Sequence, residues 1–209
     1  MPRKGETPTD KQRRVWDESA PSYDRQMRLF DRIWFGGGRE WLTERATGRV
    51  LEVAVGTGLT FPHYPPDVDL TGLELSPEML SRARDRAADL GLTVDLREGD
   101  AQDLPFADRS FDSVVCALAL CSIPDAARAV REMHRVLVPG GRLLLLDHVG
   151  STVPPLRAAQ WLVEQGSRRL AGEYFTRRQL PHVTAAGFEI VETERLKAGT
   201  IERVHAVKQ

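Results

Sequence analysis

Cysteine is scarce in this chain: Cys116 and Cys121 are the two thiols among 209 residues. Two cysteines build neither a disulfide framework nor a four-ligand zinc site. Both stand in an apolar run, so a reduced interior is expected. Long apolar runs are missing too. No stretch reaches 18 apolar residues, and "MPRKGETPTDKQRR" at the N-terminus has no apolar signal core, so no integral membrane segment and a cytoplasmic protein are expected. Charge of either sign is not in excess. The net value is −1, which gives no electrostatic footprint for nucleic acid. Neither repeats nor low-complexity blocks occur. What is present is 41% apolar and 28% charged residues, ordinary for a globular protein, in a length that fits one domain with a real core.

The polar residues 1–14, with Pro and Gly, read as a disordered arm. Residues 15–209 then read as a single domain of three parts. In residues 15–47, "VWDESAPSYDRQMRLFDRIWF" has apolar residues at helical spacing, expected to break at Pro21 and to stop at Gly36-Gly37-Gly38, and "REWLTERAT" is a further helix. Residues 48–150 alternate strand and helix: "RVLEVAV", "VDLTGLEL", the helix "SPEMLSRARDRAADLG", "TVDLREGD", "FDSVVCALAL", the helix "DAARAVREMHRVL" and "RLLLLDHV". Nearly continuous apolar strands of this kind mean a parallel sheet covered on both faces. In residues 151–209 the rhythm changes to two helices and "FEIVETERLKAGTIERVHAVK", two strands joined by a turn. A terminal hairpin puts at least one antiparallel strand in the sheet.

In an open α/β sheet, ligands sit at the carboxyl ends of the strands where the strand order reverses. The turn after the first strand, Gly56-Thr57-Gly58, belongs there, and its glycines let a ligand approach the main chain. Glu74 closes the second strand and is placed to accept hydrogen bonds from a ribose diol. A dinucleotide fingerprint needs a third small residue where Phe61 stands, and Pro62, Pro65 and Pro66 shorten the helix, so the pyrophosphate cradle is poor. Glu52, in the strand before the turn, favours a cation over phosphate. A ligand with a ribose, an ammonium and a sulfonium satisfies all of these: S-adenosylmethionine. Asp100 at the end of strand three would accept from an adenine amino group, with Ala101 donating a backbone N–H. Leu75 and Met79 would wall the base. Asp100 has a plainer reading as a turn cap, and Met79 as helix packing.

At this point "LEVAVGTG", "GLELSPEML", "GDAQDLPFADRSFDSVVC" and "EMHRVLVPGGRLLLLDHV" resemble the successive motifs of class I S-adenosylmethionine-dependent methyltransferases. The nearest likeness is to the group with quinone-ring C-methyltransferases and bacterial phosphatidylethanolamine N-methyltransferases. The resemblance covers about residues 16–150. It implies an α/β, Rossmann-like, doubly wound sheet of seven strands in the order 3-2-1-4-5-7-6, mostly parallel with the last strand antiparallel. Ala54 stands where the family usually has Gly, and its small side chain should fit. With Ala117 at the end of strand four, the candidate cofactor set is Glu52, Ala54, Gly56, Thr57, Gly58, Glu74, Leu75, Met79, Asp100, Ala101 and Ala117. Two stretches, "LALCSIPD" and "LDHVG", look most like the lipid-amine and thiol methyltransferases.

Methyl transfer from a sulfonium needs a nucleophile held at near-attack distance in a dry site. A general base helps where the nucleophile carries a proton. His148, ending strand five, is the candidate base; its plainer reading is a loop-bonding histidine. Tyr23 lies in "WDESAPSYD", which resembles the family's N-terminal lid, whose aromatic residue covers the cofactor's methionine end; its plainer reading is core packing. Trp16, Phe30, Trp34, Phe35 and Trp161 are numerous enough to line an apolar pocket, and His63 follows the glycine turn. The expected activity is methyl transfer to a small or lipid-like acceptor at N, S, O or C, with lipid amine or thiol favoured. A nicotinamide-dependent oxidoreductase and a non-catalytic cofactor-binding member are the rivals. Residues 16–41 mix aromatics with arginines, as membrane-surface helices do; a lid over the pocket accounts for the same pattern and is the preferred reading. Oligomeric state has no signature.

Overall fold

The computed structural model describes residues 5–209. In chain order the elements are α1 (Pro8–Ile33), α2 (Gly38–Thr43), β1 (Arg49–Val53), β2 (Asp69–Glu74), α3 (Pro77–Asp89), β3 (Asp95–Glu98) and β4 (Phe111–Ala117). They continue with α4 (Ala126–Val136), β5 (Leu137–His148), α5 (Pro154–Leu170), α6 (Leu180–Ala185), β6 (Phe188–Leu196) and β7 (Ile201–Lys208). The strands form one sheet in the order β3-β2-β1-β4-β5-β7-β6. Neighbours from β3 through β5 pair parallel, and β7 runs antiparallel to both β5 and β6. The expected fold class and strand order are those observed. The order reverses between β1 and β4, so a crevice opens at their carboxyl ends.

Alternation along the strands divides the core between two faces. Leu51 and Val53 of β1, Val114 and Cys116 of β4 and Leu143 and Leu145 of β5 pack with Ala129, Val130 and Met133 of α4. Val50, Val115, Leu144 and Leu146 pack on the other face with Leu80, Ala83 and Ala87 of α3 and with Leu42 of α2. The α3 start is set by Ser76, whose hydroxyl accepts from the Met79 N–H at 3.1 Å, with Pro77 in the first turn.

The N-terminal expectation is corrected. Residues 8–14 are helical, not a disordered arm, because Thr7 and Asp10 form a reciprocal capping box. Residues 1–4 of that arm lie outside the described residues. Pro21 does not break the helix either. It sits inside the 26-residue α1, where it removes one backbone donor, while polar ties on both sides hold the helix to the sheet end. Asp17 accepts from the Ser76 hydroxyl, and Asp24 accepts from the Thr57 hydroxyl, each at 2.5 Å. The first turns are tied as well. Lys11 donates to the Arg168 and Arg169 carbonyls of α5, both at 3.0 Å, and Gln12 donates to the Ser122 carbonyl. Among the described residues no helix is long and apolar enough to cross a membrane.

Candidate active site

Two cavities meet at the carboxyl ends of β1, β4 and β5. The first, about 830 Å³, lies over the glycine turn. Ala54 and Gly56 turn the chain there with φ of 58° and 57°, and a Cβ on Gly56 would meet nothing nearer than the Tyr23 ring at 3.9 Å. The space above this backbone is therefore open to a ligand. Glu74 fixes the turn: one carboxylate oxygen accepts the Gly56 N–H and the other the Ser76 N–H, both at 2.9 Å. Burial pushes its carboxyl up, opposed by these N–H groups.

Glu52 is 2% exposed and accepts from the Thr60 hydroxyl and, at 3.0 Å, from the Tyr64 hydroxyl. Burial pushes its carboxyl up to about 7, against the pull of these hydroxyls and of Arg39. Asp100 caps its own turn, accepting from the Gln102 N–H at 2.9 Å and from the Gln102 side chain. The turn-cap reading of Asp100 is thus realised, and the residue lines the cavity at the same time.

Of the candidate cofactor residues, Glu52, Ala54, Gly56, Thr57, Glu74, Leu75, Met79, Asp100, Ala101 and Ala117 line this cavity together. Gly58 does not. A Cβ there would lie 2.4 Å from the Phe61 ring, so this glycine, at φ 77°, serves to seat Phe61 beneath the turn. Arg39 and Gln12 line the cavity and were not legible as site residues. Arg39 is brought in by α2, and Gln12 by the capped start of α1. A chain pattern of "GGGRE" signals a helix start but not where its arginine points.

The second cavity, about 1420 Å³, lies between α1, α5 and the ends of β4 and β5. Trp16, Tyr23 and Leu118 line both cavities, so the two share a wall. Tyr23 meets Trp16 edge to face at 6.0 Å, and burial pushes its hydroxyl well up. Leu118 takes φ 57°, a conformation uncommon for a branched side chain. Phe30, Trp34, Phe35 and Phe175 give the second cavity an apolar wall. Trp161 is placed differently from expectation: it is 54% exposed and lines neither cavity. His63 is outside both as well, beside Glu40 at 3.5 Å.

His148 lines the second cavity, not the first. It stacks on Phe175 at 4.9 Å, and its Nδ1 is buried with no hydrogen-bond partner among the described residues. Asp147 is buried, and its carboxylate lies 4.0 Å from the His148 Nε2. Its oxygens accept the Cys121 N–H at 2.9 Å and the His148 N–H at 2.8 Å. Cys121, Asp147 and His148 lie within 4.8 Å of one another. The backbone donors already satisfy that carboxylate, and burial pushes the Cys121 thiol well up. Glu173 is the residue that sequence reasoning missed. It lines the cavity beside His148, its carboxylate has no hydrogen bond among the described residues, and burial pushes it up, opposed by His148.

A methyltransferase domain family matches residues 51–145. A demethylmenaquinone methyltransferase of Thermus thermophilus is 36% identical over 71% of this chain and 69% of its own length. The chain belongs to the S-adenosylmethionine-dependent methyltransferases. A phosphatidylethanolamine N-methyltransferase of Cereibacter sphaeroides is 43% identical over 54% of this chain. The match spans 57% of that methyltransferase, little more than half its length. In fold, a solved S-adenosylmethionine-dependent methyltransferase of Thermotoga maritima superposes with a TM-score of 0.73, covering 94% of this chain and 99% of its own at 24% identity.

Proposed function

We propose that this methyltransferase moves a methyl group from S-adenosylmethionine to a lipid-like acceptor whose nucleophile is an amine nitrogen. The observation that carries the reading is the pair of joined cavities. One is lined by strand-end carboxylates, a guanidinium and apolar walls. The other is aromatic and ends on an imidazole and an unpaired carboxylate.

The first cavity fits the cofactor chemically. Glu74 and Asp100 offer carboxylate oxygens for sugar hydroxyls and an adenine amino group, and Leu75 and Met79 offer apolar faces. Glu52 and Arg39 together complement an α-amino acid, which carries one positive and one negative group. The open space over Gly56 admits a ligand against the backbone. When bound there, the cofactor supplies an electrophilic methyl on a sulfonium.

The remaining work falls to the second cavity. Trp16, Tyr23 and the aromatic wall exclude water and hold an apolar tail. Glu173 attracts an ammonium into a cavity that has little else to solvate it. His148, with an unpartnered ring nitrogen, accepts the proton an amine must lose before it becomes a nucleophile.

Calorimetry with S-adenosylhomocysteine, the demethylated product, should show binding; its absence, with binding of NADH instead, would turn the reading toward an oxidoreductase. With labelled cofactor, amine-headed amphiphiles should be methylated in preference to thiols and phenols of equal chain length. Glu173→Gln should raise KM for the amine at least tenfold while leaving cofactor affinity unchanged. Cofactor binding without transfer to any amine, thiol or phenol would leave a non-catalytic member of the fold.

A further inference from the structure

Helix α5 is built inside out. Its inward face is polar and repeats at helical spacing: Gln160, Glu164 and Ser167. Gln160 accepts the Ser151 N–H at 2.7 Å and donates to the Val149 carbonyl at 3.1 Å. Glu164, the fully buried residue of this helix, accepts from the backbone and hydroxyl of Thr176 at 2.7 and 2.6 Å. The outward face carries the bulk instead. Trp161, Leu162 and Leu170 are 54%, 65% and 72% exposed, with Val163 beside them.

A helix docked on its own protein buries its large apolar residues; α5 leaves Trp161, Leu162, Val163 and Leu170 exposed. The same rim continues onto the end of α1, where Phe30, Ile33 and Trp34 are about half exposed. Phe30 and Trp34 of α1 and Leu156 and Gln160 of α5 line the second cavity, so the exposed apolar surface of each helix end reaches its lining.

Charge selects the occupant. The exposed charges of α5 are Arg157, Arg168 and Arg169, all positive, since its single acid, Glu164, is buried and engaged with Thr176. A second copy docking face to face would bring three arginines against three arginines. An anionic lipid surface complements both the arginines and the apolar side chains.

We propose that α5 and the end of α1 form a docking face for a bilayer bearing anionic headgroups, with the mouth of the second cavity held against the membrane. The docking stands on the surface alone. That a lipid acceptor enters the cavity directly from the bilayer rests on the methyl-transfer reading above.

The test is co-sedimentation of the full chain with vesicles of phosphatidylcholine alone and of equal parts phosphatidylcholine and phosphatidylglycerol. The chain should pellet with the mixed vesicles, less with the neutral ones, and be released by salt. Trp161→Ser with Leu162→Ser, and separately Arg168→Glu with Arg169→Glu, should each weaken partition about tenfold or more. Unchanged S-adenosylhomocysteine binding in both double variants shows that the fold and the cofactor site persist. A loss of docking is thereby separated from a failure of the methyl-transfer reading. The proposal is overturned if the chain stays in solution with mixed vesicles, or if both double variants bind as the parent does. It is also overturned if sedimentation shows a dimer that Trp161→Ser with Leu162→Ser dissolves, because a second copy then covers this face.

Discussion

Glu52 gives the chain a pH-dependent stability whose size follows from its surroundings. Its carboxyl is 2% exposed and pushed from an ordinary 4.5 up to about 7, chiefly by burial. The folded protein therefore holds this proton more tightly than the unfolded chain does. The stabilisation from that proton is fully present below about pH 4.5 and is lost as pH rises through about 7. Raising the carboxyl from 4.5 to about 7 corresponds to about 3 kcal/mol. Glu52→Gln removes the titration and nearly keeps the shape. The measurement is urea unfolding of both proteins from about pH 5 to about pH 8, taken as a difference so that other carboxylates cancel. The parent should lose about 2–3 kcal/mol relative to the variant over this range. An ammonium bound beside Glu52 would favour the ionised form. Cofactor binding near pH 7 should therefore release about half a proton, seen as a buffer-dependent enthalpy in calorimetry. Parallel unfolding curves would refute the burial argument. A buffer-independent enthalpy would refute the placing of the ammonium.

Further outcomes are expected at the turn and the acceptor cavity. Glu74→Ala strips the acceptors from the Gly56 and Ser76 N–H groups, at about 1–3 kcal/mol each. Unfolding should become easier and S-adenosylhomocysteine affinity should fall by more than Glu74→Gln causes. Ala54→Gly relieves a φ of 58° worth about 1–2 kcal/mol, partly offset by the freedom glycine gains when unfolded; a small rise in thermal midpoint is expected. His148→Ala should slow methyl transfer to amines while leaving S-adenosylhomocysteine affinity unchanged. A variant that kept the parent's rate would remove His148 from proton transfer.

The sheet was legible because its strands carry their own signals. "VLEVAV" and "RLLLLD" are apolar enough to be buried on both faces, and Ser76-Pro77 marks a helix start without tertiary help. The turn at Gly56 and the acid at Glu74 follow from strand ends, where chain order alone fixes proximity. Pro21 misled because a local rule was outvoted: Asp17 and Asp24 hold the helix on both sides of it. Thr7 and Asp10 were readable as a capping box, and the polar composition around them hid it. Gly58 misled by company, since two glycines in one turn serve different partners, one the cavity and one Phe61. Glu173 and Arg39 could not be read. The position of each depends on where α5 and α2 come to rest, and neither has a spacing that announces it.

The bond from Lys11 to the carbonyls closing α5 joins residues 157 and 158 positions apart. At about 5–20 residues per second, a ribosome needs roughly 8–30 s to supply that partner after releasing Lys11. For this interval the earliest helix of the chain has the first cavity to set Trp16 and Tyr23 against but not the α5 side of the second. The parallel strands are made meanwhile, so the nucleoside half is complete before the acceptor chamber can close. A nascent chain halted before α5 would carry a finished donor site with no room yet built for anything to be methylated.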